Sequence, residues 1–382
     1  MAGTTLEREL TGTRASHVSF DIAGQAHDAD IRRLLRETPM AGQISISLER
    51  EPNYFADAGI AGEVKQTIIA YDQRRLVCLG SCAIRQRFVN GKSRRVGYLG
   101  GLRLDNRYAG RFDILRRGYE FFRALQTDAP ADFYFTSIAA DNERARRFLE
   151  RGVAGMPLYE FAGEFVTVII STNHDSGSGA FRQKCALDVE TPAPDQLIAF
   201  LNGFNEKHQF APCWSAEELC SLERLGLQAV DFHMTRRDGR MIACGALWDQ
   251  GSFKQTVIRG YSPWLNIARP IANTLRHIIN GPRLPVIGET LANAFASPLA
   301  FASEAPAVFL DLIKDLSRSA REREIEFLTL GFAANDPHLA MIRNACSCRE
   351  YRSRLYIVRW PGIGGSAAEL DGRAAAPELA LL

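Results

Sequence analysis

The segment of this 382-residue chain richest in chemical possibility runs from Val96 to Leu125, VGYLGGLRLDNRYAGRFDILRRGYEFFRAL. A strand runs into a short loop, Asp105 to Phe112, which carries Gly110 and passes directly into a helical pattern. Successive backbone N–H groups in such a loop, together with the positive end of the helix dipole, can hold a phosphate. Gly110 permits a positive φ or close backbone approach. Arg103, Arg107, Arg111, Arg116 and Arg117 lie in or near the same region and are able to meet further phosphates. The same residues also fit a plain strand-to-helix turn with solvated arginines, and a lone glycine loop does not choose between the two.

These residues need elements to position them. Apolar spacing predicts a helix after Asp28 with Ile31, Leu34 and Leu35 on one face, then strands at Gln43–Leu48, Val64–Tyr71 and Arg75–Val89. Asn90-Gly91 is a tight hairpin signal, so the strand Arg94–Leu104 returns beside its predecessor. A helix from about Asp113 follows, then a strand at Phe133–Ile138, a helix at Asn142–Arg151 ended by Gly152, and a long strand over Pro157–Ile170.

The second half repeats this order. Strands at Ala229–Thr235 and Arg240–Trp248 meet at Asp238-Gly239, and a third strand covers Phe253–Tyr261. A helix at Ile267–Ile279, an apolar segment Thr290–Ala302, a helix Pro306–Arg318, a strand Glu326–Phe332, a helix started by Asp336-Pro337 and a closing strand Arg352–Trp360 complete it. DFYFTSIAADNERARRFLERG in the first half aligns with EIEFLTLGFAANDPHLAMIRN in the second, which points to duplication. Ser171 to Gln196 is rich in Ser, Gly and Pro and has no apolar period, as a linker would be. The expected organisation is therefore an N-terminal extension over 1–27, a first domain over 28–170, a linker over 171–195, a second domain over 196–361 and a flexible tail over 362–382.

The order strand–hairpin–strand–loop–helix–strand–Asn–helix–strand resembles the GCN5-related N-acetyltransferase (GNAT) superfamily. The resemblance implies an α+β fold of two tandem domains, each a mostly antiparallel twisted sheet flanked by helices. It implies acetyl-CoA, or another acyl-CoA, as cosubstrate, with the pyrophosphate on the loop residues Tyr108, Ala109, Gly110, Arg111 and Phe112. It further implies that strand amides around Leu102, Arg103 and Leu104 polarise the acyl carbonyl and that Asn142 begins the helix flanking the pantetheine. Tyr98 lies where several relatives place the group that deprotonates the amine, although ordinary sheet packing also accounts for it; Glu63 and Asp105 are comparable candidates. The sequence departs from the pattern at Phe112, where the loop usually has Gly, and at Leu149, where many members carry the Tyr that protonates the departing thiolate. The matching loop of the second half, Ala302-Ser303-Glu304-Ala305-Pro306, has no Gly, and that half is expected not to bind CoA.

The reading that results is an N-acyltransferase moving an acyl group, acetyl first, directly to an amine of a small molecule or peptide. A decayed tandem serving as a binding or assembly module, and an aminoacyl or long-chain acyl transferase, stay open beside it. The 46 basic and 44 acidic residues nearly cancel, which argues against nucleic acid or an anionic membrane as partner. No apolar run reaches the ~18 residues a membrane span needs. Eight cysteines without a CxxC pair, and seven histidines without metal-ligand spacing, predict reduced thiols, no metal and a cytoplasmic protein. Oligomeric state is left open.

Overall fold

The computed structural model describes residues 18–57, 60, 62–172, 193–275, 283–302 and 306–382. The first half contains β1 (Val18–Ile22), α1 (Asp28–Glu37), β2 (Ile44–Glu49), β3 (Val64–Asp72), β4 (Arg75–Val89), β5 (Lys92–Leu104), α2 (Phe112–Leu125), β6 (Phe133–Ala139), α3 (Glu143–Leu149) and β7 (Leu158–Ser171). The second contains α4 (Pro194–Asn205), α5 (Ala216–Glu223), β8 (Phe232–Arg237), β9 (Arg240–Trp248), β10 (Gln255–Tyr261), α6 (Pro263–Leu275), β11 (Asn293–Phe301), α7 (Pro306–Glu322), β12 (Phe327–Ala333), α8 (Pro337–Ala345) and β13 (Cys348–Arg359). Both hairpin signals form as read, with positive φ at Asn90 and Gly91 and at Asp238 and Gly239.

Eleven strands join in one mixed sheet in the order β1-β3-β4-β5-β6-β13-β7-β12-β11-β9-β8, while β2 and β10 form a separate antiparallel ribbon. The centre of the sheet is an exchange. β13, the last strand of the second half, pairs with β6, and β7, the last strand of the first half, pairs with β12. The two exchanged strands pair with each other from Cys348↔Ile170 to Arg359↔Leu158. Burial explains the arrangement: Val166, Val168 and Ile170 of β7 are packed with Phe309, Leu328 and Leu330 of the second half, whereas Leu355 and Ile357 of β13 are packed with Val96, Phe133 and Phe135 of the first.

The two halves share irregularities of their strands. β5 pairs with β6 in parallel over only Val96↔Phe133 to Tyr98↔Phe135, and β11 pairs with β12 in parallel over only Asn293↔Phe327 to Phe295↔Thr329. Against β4, β5 carries two unpaired residues, Gly101 and Leu102, between Gly100↔Ser81 and Arg103↔Leu79. Against β9, β11 carries Ser297 and Pro298 between Ala296↔Leu247 and Leu299↔Gly245, a similar bulge one residue nearer the last parallel rung.

Several expectations are corrected. The N-terminal extension contributes β1, an edge strand paired with β3 from Val18↔Asp72 to Ile22↔Ile68. The segment 362–382, expected as a flexible tail, is packed. Gln209 exchanges backbone hydrogen bonds with Ala374 and Ala376, Gln250 donates to the Ala380 oxygen at 3.1 Å, and Ala375, Ala380 and Leu381 are buried. Small and apolar residues there read as loose in sequence, yet they fill space in the apolar clusters of both halves. Helices α4 and α5 were not foreseen. The first starts at Pro194, which takes the first helical turn, and the second carries a Ser215/Glu218 capping box. Residues 173–192 of the linker and 303–305 of the second loop lie outside the described residues.

Candidate functional site

The site is built where β5 and β6 part. Thr136 Oγ1 donates to the Leu99 oxygen at 2.6 Å, and beyond this no pairing joins the two strands. Beside the opening, Gly101 has φ +65°, the left-handed conformation that lets β5 bulge against β4. Gly101 and Leu102 therefore have no residue paired opposite them on either neighbour, and both are exposed. In the second half the matching bulge holds Pro298, which has no N–H to offer.

Tyr98 stands at the last rung before the opening. Its ring contacts Phe135, 5.1 Å between centroids, and lies back over Gly100, where an added Cβ would approach its Cε1 to 2.7 Å. Burial pushes the Tyr98 hydroxyl up to about 12, against the pull of the Arg87 and Arg103 guanidiniums. It keeps its proton at neutral pH, so its chemistry suits giving a hydrogen bond or proton rather than deprotonating an amine. Arg103 donates to the Leu102 oxygen at 2.9 Å and makes no ion pair among the described residues. Of the other candidates, Asp105 is buried and held by Arg75 at 2.8 Å and Arg107 at 3.0 Å, and Glu63 pairs with Arg95 at 3.3 Å.

The loop does not present the row of free amides that the sequence suggested. Asp105 to Tyr108 tightens into a 3₁₀ turn, and the N–H groups of Arg107, Tyr108, Ala109, Arg111 and Phe112 all bond within the loop. Its cations are engaged too. Arg111 pairs with Asp113 at 2.7 Å, Arg116 approaches Glu120 at 3.9 Å, and Arg117 donates to the Val18 oxygen at 2.8 Å. The Tyr108 hydroxyl donates to Asp72 at 2.7 Å. Gly110 has φ +93° with open space around it, and Leu104 is half-buried at the end of β5.

Asn142 caps α3, its Oδ1 accepting from the Ala145 N–H at 3.2 Å. Next to this cap is a pocket of ≈ 670 Å³ lined by Phe112, Glu143, Arg144, Arg147, Phe148, Arg151 and Val153. The Phe112 ring stacks on Phe148 at 4.3 Å between centroids. Sequence reasoning passed over Arg144, Arg147 and Arg151. Their spacing with Phe148, at i, i+3, i+4 and i+7, was the available signal. Leu149, where the resemblance expects a proton donor, is buried and apolar. Among the described residues no group of His, Cys, Asp or Glu could hold a metal ion, and no helix is long and apolar enough to cross a membrane.

A mixed sheet opened between two parallel neighbours, with a bulge beside the opening, is the arrangement of the GNAT fold. Comparison with solved structures agrees. A GCN5-related N-acetyltransferase from Sphaerobacter thermophilus superposes with TM-score 0.54 at 11% identity, covering 91% of this chain and 98% of that one. Saccharomyces cerevisiae N-myristoyltransferase with bound myristoyl-CoA superposes with TM-score 0.58 at 11% identity, covering 90% of this chain and 78% of that one. No protein-family model matches the sequence, and no curated protein is significantly similar to it. The chain has the GNAT fold.

Proposed function

We propose that the protein is an acyl-CoA-dependent N-acyltransferase that moves an acyl group, acetyl in the first instance, directly onto an amine of a small molecule or peptide. One observation carries this reading: β5 and β6 separate after Tyr98↔Phe135 beside a bulge at Gly101–Leu102. Backbone there is free of ladder partners, so its N–H groups can stabilise negative charge growing on a thioester oxygen. The residues fit an acyl-CoA at the opening, and fit it less well at the loop, where the N–H groups of Arg107, Tyr108, Ala109, Arg111 and Phe112 are already bonded.

In this account the N–C bond forms as the C–S bond breaks. The amine gives its surplus proton to water, and the sulfur takes a proton from Tyr98 or from water. Tyr98 suits donation because it is protonated at neutral pH and stands near Arg87 and Arg103, which would stabilise its phenolate. The amine and thioester are held close, which contributes most of the acceleration in a reaction needing no covalent enzyme intermediate. The second half, with Pro298 at its bulge, takes no acyl-CoA and shapes the acceptor side.

The assay is release of free CoA thiol from acetyl-CoA and from myristoyl-CoA in the presence of mixed amines and peptides. Amine-dependent release from either donor supports the reading and identifies the chain-length class. Binding without release under all acceptors favours the non-catalytic alternative, which Leu149 and the bonded loop amides support.

A further inference from the structure

Three rows of residues run side by side across β3, β4 and β5: Lys65–Ala83–Tyr98, Thr67–Ser81–Gly100 and Ile69–Leu79–Arg103. Opposed residues share a face, so Lys65, Tyr98 and Arg103 project from one side of the sheet. The extra residue of the Gly101–Leu102 bulge shifts the alternation of β5 by one and so turns Arg103, five positions after Tyr98, onto the Tyr98 face. Between them lie Ala83, Ser81 and Gly100, small residues that stay half-buried although β4 and β5 are inside the sheet. They floor a hollow beside the β5–β6 opening.

Cations collect over this floor. Arg50 and Lys254 stand just past the Glu49↔Gln255 rung of the β2–β10 ribbon, one from each half of the chain. Asp57 is shared by Arg50 at 3.5 Å and Lys65 at 2.5 Å. Lys254 donates to the Leu382 oxygen at 2.8 Å, and Arg103 donates only to the Leu102 oxygen at 2.9 Å. With Lys254 set aside on its oxygen, Arg50, Lys65 and Arg103 share the single carboxylate of Asp57 among the described residues. After burial, the Arg50 guanidinium is the strongest influence lowering both Arg103 and Lys254, as happens where cations crowd together short of counter-charge. Tyr98 and Arg103 are close enough to act on each other.

We propose that the acceptor amine carries a carboxylate, which Arg103 and Arg50 receive over the hollow while the amine lies at the opening beside Tyr98. The substrate class is then an amino acid or a short peptide with a free C-terminal carboxylate. A planar guanidinium short of a partner takes a carboxylate through paired N–H bonds, and a second carboxylate balances the cluster that Asp57 balances only in part. This rests on the N-acyltransferase reading above.

The test is thiol release by the full chain from acetyl-CoA and from myristoyl-CoA, with acceptors offered in pairs. The pairs are the common amino acids, β-alanine and glycine di- and tripeptides, each against its C-terminal amide, with O-phosphoethanolamine alongside. Loss of a charge-assisted contact predicts that at least one carboxylate exceeds its amide about tenfold or more in kcat/KM. Arg103→Gln is expected to bring that ratio down by about the same factor. Loss of support for the Tyr98 phenolate lowers kcat for both members of a pair alike, so the ratio reads recognition alone. Amides that match or exceed their carboxylates overturn the proposal, as does a folded Arg103→Gln that keeps the wild-type ratio. The wild-type ratio stands by itself if the variant does not fold. Reaction of O-phosphoethanolamine alone overturns the choice of carboxylate. A chain that binds either donor but releases no thiol with any carboxylate overturns the proposal and leaves the cosubstrate in place. Failure to bind either donor overturns the acyl-CoA reading itself, and the proposal with it.

Discussion

Phe112 and Phe148 lie face to face, tying the first turn of α2 to α3 across the mouth of the candidate site. Phe112 is nearly half exposed, so the stack contributes little to the core and much to the shape of the pocket. Phe112→Ala is expected to cost about 1 kcal/mol in denaturant melts.

Tyr98 depends on Gly100. A methyl group at Gly100 would meet the Tyr98 ring at 2.7 Å, so Gly100→Ala must push the ring from its place over the strand. Tyr98→Phe keeps the packing against Phe135 and removes only the hydroxyl. Proton transfer by a placed side chain is typically worth 10²–10⁴-fold, and Tyr98→Phe is expected to lower kcat by about 10²-fold with unchanged acyl-CoA affinity. Gly100→Ala is expected to lower kcat as well, with a reduced melting temperature. A Tyr98→Phe enzyme of wild-type kcat would remove Tyr98 from the mechanism.

Two half-buried ionisable groups set opposite pH slopes on stability. Burial raises Glu378 from 4.5 to about 7, against the pull of Ser297, Arg87 and Arg85. Its folded value lies above its unfolded one, so its contribution is present below about pH 4.5 and is lost as pH rises through about 7. Burial lowers Lys254 from 10.5 to about 7, so its contribution is present above about pH 10.5 and is lost as pH falls through about 7. Together they predict a shallow minimum of stability near neutrality. Glu378→Gln is expected to flatten the acid-side slope and Lys254→Met the alkaline one, read as melting temperature against pH.

Arg85 of β4 is buried and pairs with Glu218 of α5 at 2.8 Å, joining the two halves of the chain. Its guanidinium also lies 5.2 Å from the Trp214 ring. Glu218→Ala leaves a buried charge without its partner; because Glu218 is partly exposed, the expected loss is about 2 kcal/mol rather than the full penalty of a sealed pair. Chemical denaturation of the two proteins at equal pH measures it.

The hairpins, the strand–loop–helix unit and the repeat were legible because turn residues and apolar periods specify them locally. The exchange of β7 and β13 was not, since both strands are apolar enough to be buried in either sheet and only the packed core decides which. The bulge at Gly101 was hidden because a Gly-Gly pair in a strand reports permissiveness, not geometry. The loop was located correctly, but its amides were assumed free. Asp105 organises them into a 3₁₀ turn through contacts with Arg75 and Val77 of β4, partners distant in sequence. Arg144, Arg147 and Arg151 drew no reading from the sequence, because the pocket they line forms only where Phe112 of α2 meets Phe148 of α3.

Titration of the full-length wild-type chain with acetyl-CoA and with myristoyl-CoA in a calorimeter tests the central claim most directly. Saturable heat from at least one donor, with one site per chain and competition by free CoA, is the expected result. No heat and no thermal shift with either donor at millimolar concentration would contradict it.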